Sequence, residues 1–253
     1  MSTYQPETYG ESVADLYDDW YADYDASMID MLAELTRDGR ALELGIGTGR
    51  VALPLVARGV EVHGIDASPK MVERLRAKPG GAQIPVTFGD FADVAVVGDF
   101  DLVFIVFNTF FALLTQAEQV RCFRNVAAHL KLGGVFVIEA FVPDMRRFDR
   151  SGTTNQPTRI TEDTVELDVS QHDAATQRVN SQKLVLTNGQ VRLYPIQIRY
   201  AWLAELDLMA QLAGLRLRER WSGWRREPFN AQSGKHVSIY ERTVNERGMM
   251  NSP

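Results

Sequence analysis

The spacing of apolar residues changes three times along the chain, and each change marks a different kind of structure. Near the start, Val13, Leu16, Tyr17 and Trp20 recur at helical intervals, as do Met28, Met31, Leu32 and Leu35. Two helices are expected there. From residue 40, short apolar or β-branched runs at 41–44, 60–65, 85–88, 102–107 and 135–140 alternate with helical stretches at 51–58, 69–78 and 117–130. Strands that alternate with helices predict an α/β fold with a parallel, doubly wound sheet covered on both faces. Ser68 and Pro69 read as the N-cap and first residue of a helix. Gly133 and Gly134 are expected to stop the preceding helix and turn the chain into the next strand. After Pro143 the period becomes two, at 164–172, 178–186 and 191–200, and Asn188-Gly189 joins the last two runs as a hairpin. A three-stranded antiparallel insertion follows from that pattern. A helix over 203–213, ending at Gly214, leads to a strand with Arg216, Arg218 and Arg220 on one face and Leu215, Leu217 and Trp221 on the other. That arginine row either holds an anion or guards an exposed strand against aggregation. A last strand is expected at 236–241. The chain thus divides into 1–36, a core at 37–144, an insertion at 145–201, a return to the core at 202–243, and a tail at 244–253 that is expected to fray.

Composition narrows the function classes. With 253 residues, 45% hydrophobic and 24% charged, the chain fits one large core with an elaboration. A net charge of −6 argues against a nucleic-acid partner, which selects a basic face. Cys122 is the only cysteine, which suits a reducing cytoplasm. The most apolar run, 102–114, is broken by Asn108 and Thr109 and is too short for a bilayer, and residues 1–9 lack a signal-peptide core. A cytoplasmic protein without membrane contact is expected. The first thirty residues are lopsided: from Glu7 to Asp30 there are eight acidic residues and no Lys or Arg, and the segment also carries Tyr4, Tyr9, Tyr17, Trp20, Tyr21 and Tyr24. Either the charges form the wet face of an amphipathic helix pair, or the aromatics form a lid over a site.

The segment Glu43-Leu44-Gly45-Ile46-Gly47-Thr48-Gly49 closes the first strand and opens a helix. Glycines there let backbone approach a ligand, and the helix start offers unpaired N–H groups. A nicotinamide dinucleotide site would need a third glycine where Arg50 stands, a poor fit to a pyrophosphate turn. Asp66 ends the second strand and Asp90 follows the third, although each has a plain alternative as a cap or turn residue. Glu43 falls in a strand that should be buried, where a carboxylate needs N–H donors or a cationic ligand.

Together these residues resemble the class I S-adenosylmethionine-dependent methyltransferases, over about residues 40–144. Glu43 and the three glycines match the first motif, Asp66 the second, Asp90 the third, and Leu130-Lys131-Leu132-Gly133-Gly134 the turn into the fifth strand. The resemblance implies a mostly parallel seven-stranded sheet with an N-terminal helical lid and an antiparallel insertion after the fifth strand. It implies S-adenosyl-L-methionine as cofactor, with Asp66 on the ribose hydroxyls and Asp90 on the adenine amino group. Ala67, Met71, Phe91 and Phe107 are then expected beside it. Tyr17-Asp18-Asp19-Trp20-Tyr21 resembles the Y-D-x-x-Y signature of natural-product tailoring enzymes, including amino-sugar N,N-dimethyltransferases and lincosamide N-methyltransferases. That likeness carries Tyr17, with Tyr9, to the cofactor's methionine end and the reacting amine. It also lets the insertion supply a homo-oligomer contact.

After the fourth strand the chain reads Asn108-Thr109-Phe110-Phe111, without the N/D-P-P-Y tetrapeptide of families that methylate adenine or planar amides. A small-molecule acceptor is therefore expected, near Tyr9, Tyr21, Asn108 and Trp224. Phe110 and Phe111 either line its pocket or pack beneath the lid. A sulfonium methyl is already activated, so orientation carries most of the catalysis, and an amine needs only a free lone pair. A hydroxyl would need a base. His63 and His129 read as structural, while His172 and His236 are the candidates for facing a pocket. No cluster suggests a metal. N-methylation is favoured, against O-methylation or a catalytically silent cofactor-binding protein.

Overall fold

The computed structural model describes residues 4–243 except Ala22 and Val94. The expected tail at 244–253 lies outside the described residues. Among the described residues three helices, not two, precede the core: α1 (Thr8–Val13), α2 (Tyr17–Trp20) and α3 (Ala26–Thr36). The first two form one bent segment, broken at Ala14–Leu16, so that Val13 is buried while Trp20 reaches the insertion. Asp25 caps α3 by accepting from the Ser27 N–H at 2.9 Å.

The core alternates as its apolar periods predict. It runs β1 (Arg40–Leu44), α4 (Ala52–Ala57), β2 (Glu61–Asp66), α5 (Pro69–Ala77), β3 (Val86–Phe88), β4 (Phe100–Ile105), α6 (Gln116–His129) and β5 (Leu130–Phe141). Ser68 caps α5 as expected, and a capping box of Thr115 and Glu118 opens α6. Four strands form the insertion: β6 (Thr153–Ile160), β7 (Thr164–Asp173), β8 (Arg178–Thr187) and β9 (Gln190–Arg199). Then come α7 (Leu203–Leu212), β10 (Leu215–Trp221) and β11 (Lys235–Arg242). The main sheet has seven strands in the order β10-β11-β5-β4-β1-β2-β3, with β11 antiparallel to β5 and β10 antiparallel to β11. The order reverses between β1 and β4, and a crevice opens beyond the carboxyl ends of those strands. Both faces of the sheet are buried, one under α6 and α7, the other under α3 and α4. No helix among the described residues is long and apolar enough to cross a membrane.

Three local expectations are corrected. Helix α6 ends at His129 before the glycine pair; Gly133, at φ +75°, sits in a bulge where β5 slips its register against β4. A bulge between Leu217 and Glu219 also breaks the arginine row on β10. Arg220 turns inward to Asp207 at 2.5 Å and to the Tyr240 hydroxyl at 3.1 Å, whereas Arg216 pairs with Glu241 on the surface. The insertion holds a fourth strand, β6, along its edge, paired with β7.

Candidate active site

The glycine turn after β1 is pinned from below. The N–H groups of Gly45 and Ile46 both donate to the Ile65 carbonyl, at 2.8 and 3.0 Å, which curls the chain back over β2. Gly45 has φ +74°, and a Cβ on it would stand 2.7 Å from the Thr109 methyl, so a side chain is excluded twice. Asp66, at the end of β2, accepts from the Gly47 N–H at 2.7 Å and from the Ser68 N–H at 2.8 Å. One carboxylate therefore joins the glycine turn to the start of α5. Burial pushes its pKa up against the pull of these backbone donors.

Between this turn, α1 and the 3₁₀ turn after β4 (Thr109–Ala112) lies a cavity of about 370 Å³. Nine of the expected residues line it: Tyr9, Tyr17, Gly45, Gly47, Asp66, Ala67, Met71, Asp90 and Phe91. Asp90 accepts from the Ala92 N–H at 2.8 Å through one oxygen, the turn contact that its sequence context allowed. Tyr4, one of the aromatics of the lid reading, also lines the cavity, and so do Thr109, Leu113 and Glu118, which were not assigned to a site. Glu118 carried a signal as the N3 residue of a capping box, and that signal concerns helix initiation.

A smaller cavity adjoins, lined by Tyr17, Glu43, Gly45, Arg50, Phe107 and Thr109. Glu43 is buried and its Oε2 has no hydrogen-bond partner. Burial pushes its carboxyl well above the usual carboxylate range, opposed by Arg50. The Tyr17 phenol is pushed up to about 12 by burial, again with Arg50 opposing. Tyr9 is raised further by burial and by the neighbouring phenols of Tyr21 and Tyr17, so it stays protonated at any ordinary pH. Phe107 closes this corner, its ring edge-on to Tyr21 at 4.9 Å and beneath the Arg50 guanidinium at 4.5 Å.

Of the N-terminal acids, Glu11, Asp15 and Asp18 reach partners on the core, while Asp15 itself and Asp19, Asp23, Asp25 and Asp30 stay exposed. Asp18 Oδ1 accepts from the Thr48 hydroxyl at 2.6 Å and from Lys78 Nζ at 2.8 Å, and Lys78 also donates to the Thr48 carbonyl at 2.9 Å. Glu11 accepts from the Ser68 hydroxyl at 2.8 Å and the Lys70 N–H at 3.0 Å, and Asp15 pairs with Arg74. Lys70, Arg74 and Lys78 follow one another at helical spacing along α5, so the bent segment lies along that helix.

Several expected residues stand elsewhere. Gly49, at φ +79°, faces Leu75 and Leu53 and serves packing. Phe110 and Phe111 are fully buried against Phe123 and Phe141, beneath the site and outside its cavities. Asn108 uses its Oδ1 to accept from the Phe141 N–H at 2.7 Å, and Tyr21 stands one layer behind, against Tyr17. Trp224 is buried in the core and donates its indole N–H to Glu139 at 3.0 Å. In the same loop Arg225 donates to Ser27 and Arg226 pairs with Glu34. His172 stacks on Phe148 in the insertion and bonds the Tyr200 hydroxyl at 3.0 Å. His236 is buried beside Ser238, its pKa forced down to about 3 by burial.

A sheet of this order, with a glycine turn at its switch point and carboxylates ending β1 and β2, defines a class I methyltransferase. The chain belongs to the S-adenosylmethionine-dependent methyltransferases. Residues 41–134 match the family described as a methyltransferase domain. The cypemycin N-terminal methyltransferase of Streptomyces sp is 31% identical over 208 residues, covering 81% of this chain and 84% of that protein. The structure of the CcbJ methyltransferase from Streptomyces caelestis superposes with a TM-score of 0.88 at 38% identity, covering 95% of this chain and all (100%) of that one. The sugar N-methyltransferase KedS8 from Streptoalloteichus sp ATCC 53650 shares the fold, with a TM-score of 0.66 at 21% identity over 96% of this chain and 99% of that one. The site fits this cofactor: an orphaned buried carboxylate oxygen calls for a cationic group, and the glycine turn leaves room for a ligand against the backbone.

Proposed function

We propose that the chain methylates the amine nitrogen of a small natural-product acceptor by direct displacement. The observation that carries this reading is the chemistry of the lid side of the cavity: Tyr9 and Tyr17 line it, both held protonated, while no histidine lines it among the described residues. An amine with a free lone pair needs no base, and a neutral phenol can hydrogen-bond it and hold its direction. The names of the cypemycin N-terminal methyltransferase and of KedS8 support an amine acceptor and a tailoring role.

S-adenosylmethionine supplies a methyl on a sulfonium sulfur, already activated toward a lone pair. In this reading Asp66 takes the ribose hydroxyls and Asp90 the adenine amino group. Glu43, with its unpartnered Oε2, would hold the ammonium of the methionine end, and Arg50 the carboxylate. Tyr17, which lines both cavities, and Tyr9, which lines the larger, would hydrogen-bond and orient the amine, and the N-terminal segment would shield it from water.

Mass spectrometry of label transfer from isotopic S-adenosylmethionine to a panel of secondary amines, amino sugars, phenols and carboxylic acids tests the proposal. Label on an amine, lost in Tyr17→Phe, is the expected result. Label confined to oxygen acceptors would overturn the nucleophile.

A further inference from the structure

Glu139, near the end of β5, lines neither cavity, yet its side chain is only 14% exposed. Both of its oxygens are engaged. Oε2 accepts from the backbone N–H of Phe107 at 3.1 Å, and Oε1 accepts from the indole N–H of Trp224 at 3.0 Å, with Lys235 Nζ at 3.4 Å. The Glu139 carbonyl accepts from the Asn108 N–H at 3.2 Å. These bonds surround two consecutive residues in the left-handed region, Phe107 at φ +60° and Asn108 at φ +64°. Side chains hold that conformation only where the surroundings over-determine it, and such strain gathers at functional sites. A strand leaving β4 in ordinary extended geometry would carry the Phe107 ring elsewhere. As placed, the ring packs on Tyr21 of the N-terminal segment and under Arg50, at the corner shared with Glu43 and Tyr17.

We propose that Glu139 is a positioning residue for methyl transfer, holding Phe107 in its strained turn so that the N-terminal segment seats over the S-adenosylmethionine cavity. The proposal rests on the reading of that cavity as the cofactor site. It needs a carboxylate in particular, because two N–H donors meet two acceptor oxygens. A glutamine would oppose one of them with an NH₂ group.

A double-mutant cycle on the full chain, read by calorimetric titration with S-adenosylmethionine, tests it. Glu139→Gln and Phe107→Leu are each expected to weaken binding about tenfold, and the double variant also by about tenfold, because the first acts through the second. A merely structural role would lower the unfolding temperature and leave affinity, measured well below that temperature, at its wild-type value. That result, or losses that multiply to about a hundredfold in the double variant, overturns the proposal. Should Glu139→Gln fail to fold by circular dichroism, Glu139→Asp, which keeps two acceptor oxygens on a shorter stem, takes its place in the same cycle: a tenfold loss that Phe107→Leu does not compound sustains the proposal, and wild-type affinity overturns it. No binding by the wild-type chain would overturn the cavity reading itself, and this proposal with it.

Discussion

Glu43 shows what one residue costs and supplies. Its carboxyl is buried with Oε2 unpartnered, and burial lifts its pKa well above that of an unfolded glutamate. Below the unfolded value, about 4.3, both states hold the proton and the residue is neutral to stability. As pH rises through the interval up to the folded value, only the folded chain keeps the proton, so stability falls. Glu43→Gln should therefore raise the unfolding temperature of the cofactor-free chain by roughly 3–6 °C at pH 8 and by nothing at pH 4, measured by scanning fluorimetry. The same variant should bind S-adenosylmethionine about tenfold more weakly if Glu43, losing its proton on binding, meets the ammonium as proposed. Asp66→Ala should lose about ten- to hundredfold in calorimetry, since it removes an acceptor and also frees the Gly47 and Ser68 N–H groups. Residues of this kind were legible in the sequence because backbone geometry fixes them: a glycine turn and a strand-end acid are local. Trp224 and Asn108 stand outside the cavities where they were expected, and Phe110 and Phe111 take the second of their two readings, packed beneath the site, because side-chain direction depends on neighbours far along the chain. Trp224 faces Glu139 across 85 positions, and that partner had no local mark at all.

Among elements, the contact between the N-terminal segment and α5 separates pairs that matter from pairs that do not. Asp15 and Arg74 meet with the aspartate side chain 83% exposed, where an ion pair contributes little. Asp18 is more protected and holds three groups together: the Thr48 hydroxyl in the glycine turn, Lys78, and through Lys78 the Thr48 carbonyl. Burial works to raise its pKa, but bonds from Lys78 and Thr48 outweigh it and the carboxyl stays below the usual range. Asp18→Ala is expected to raise the KM for S-adenosylmethionine about tenfold, and Asp15→Ala to change it less than about twofold, in steady-state assays with any acceptor that is turned over. The sequence offered these acids as a wet face or as part of an aromatic lid; most of them are exposed, and the pairing of Glu11, Asp15 and Asp18 with the core was not visible. Their partners at 70, 74 and 78 reveal the docking only when the two helices are set side by side. Strands followed a similar rule. Those with clean alternation or continuous apolar runs were readable, whereas β6, with Pro157 in its middle and a bulge beside it, shows neither signal and pairs only because an edge tolerates proline.

The insertion is tied to the core of the whole molecule by one buried polar cluster. Arg199, at the end of β9, donates to Glu205 of α7 at 2.7 Å, to Gln177 at 2.9 Å and to Gln119 of α6 at 2.5 Å. Gln119 in turn donates to the carbonyls of Arg199 and Leu113, and Leu113 lines the larger cavity. These bonds join the insertion to a residue of the cavity wall. Arg199 is 5% exposed, so removing its charge leaves Glu205 without its cation in a sheltered place. Arg199→Leu should destabilise the fold by about 3–5 kcal/mol in urea titration at pH 7. Burial alone would raise the Glu205 pKa, but bonds from Gln177, Arg199 and Gln116 outweigh it and set the folded value below the unfolded one. The stability this confers is present above the unfolded value, about 4.3, and is lost as pH falls through the folded value. Wild type and Arg199→Leu should therefore draw together below about pH 4, where a protonated Glu205 no longer needs its partner. A gap that stays constant from pH 7 to pH 3.5 would mean that Arg199 acts through packing of its stem and not through the charge it shares with Glu205.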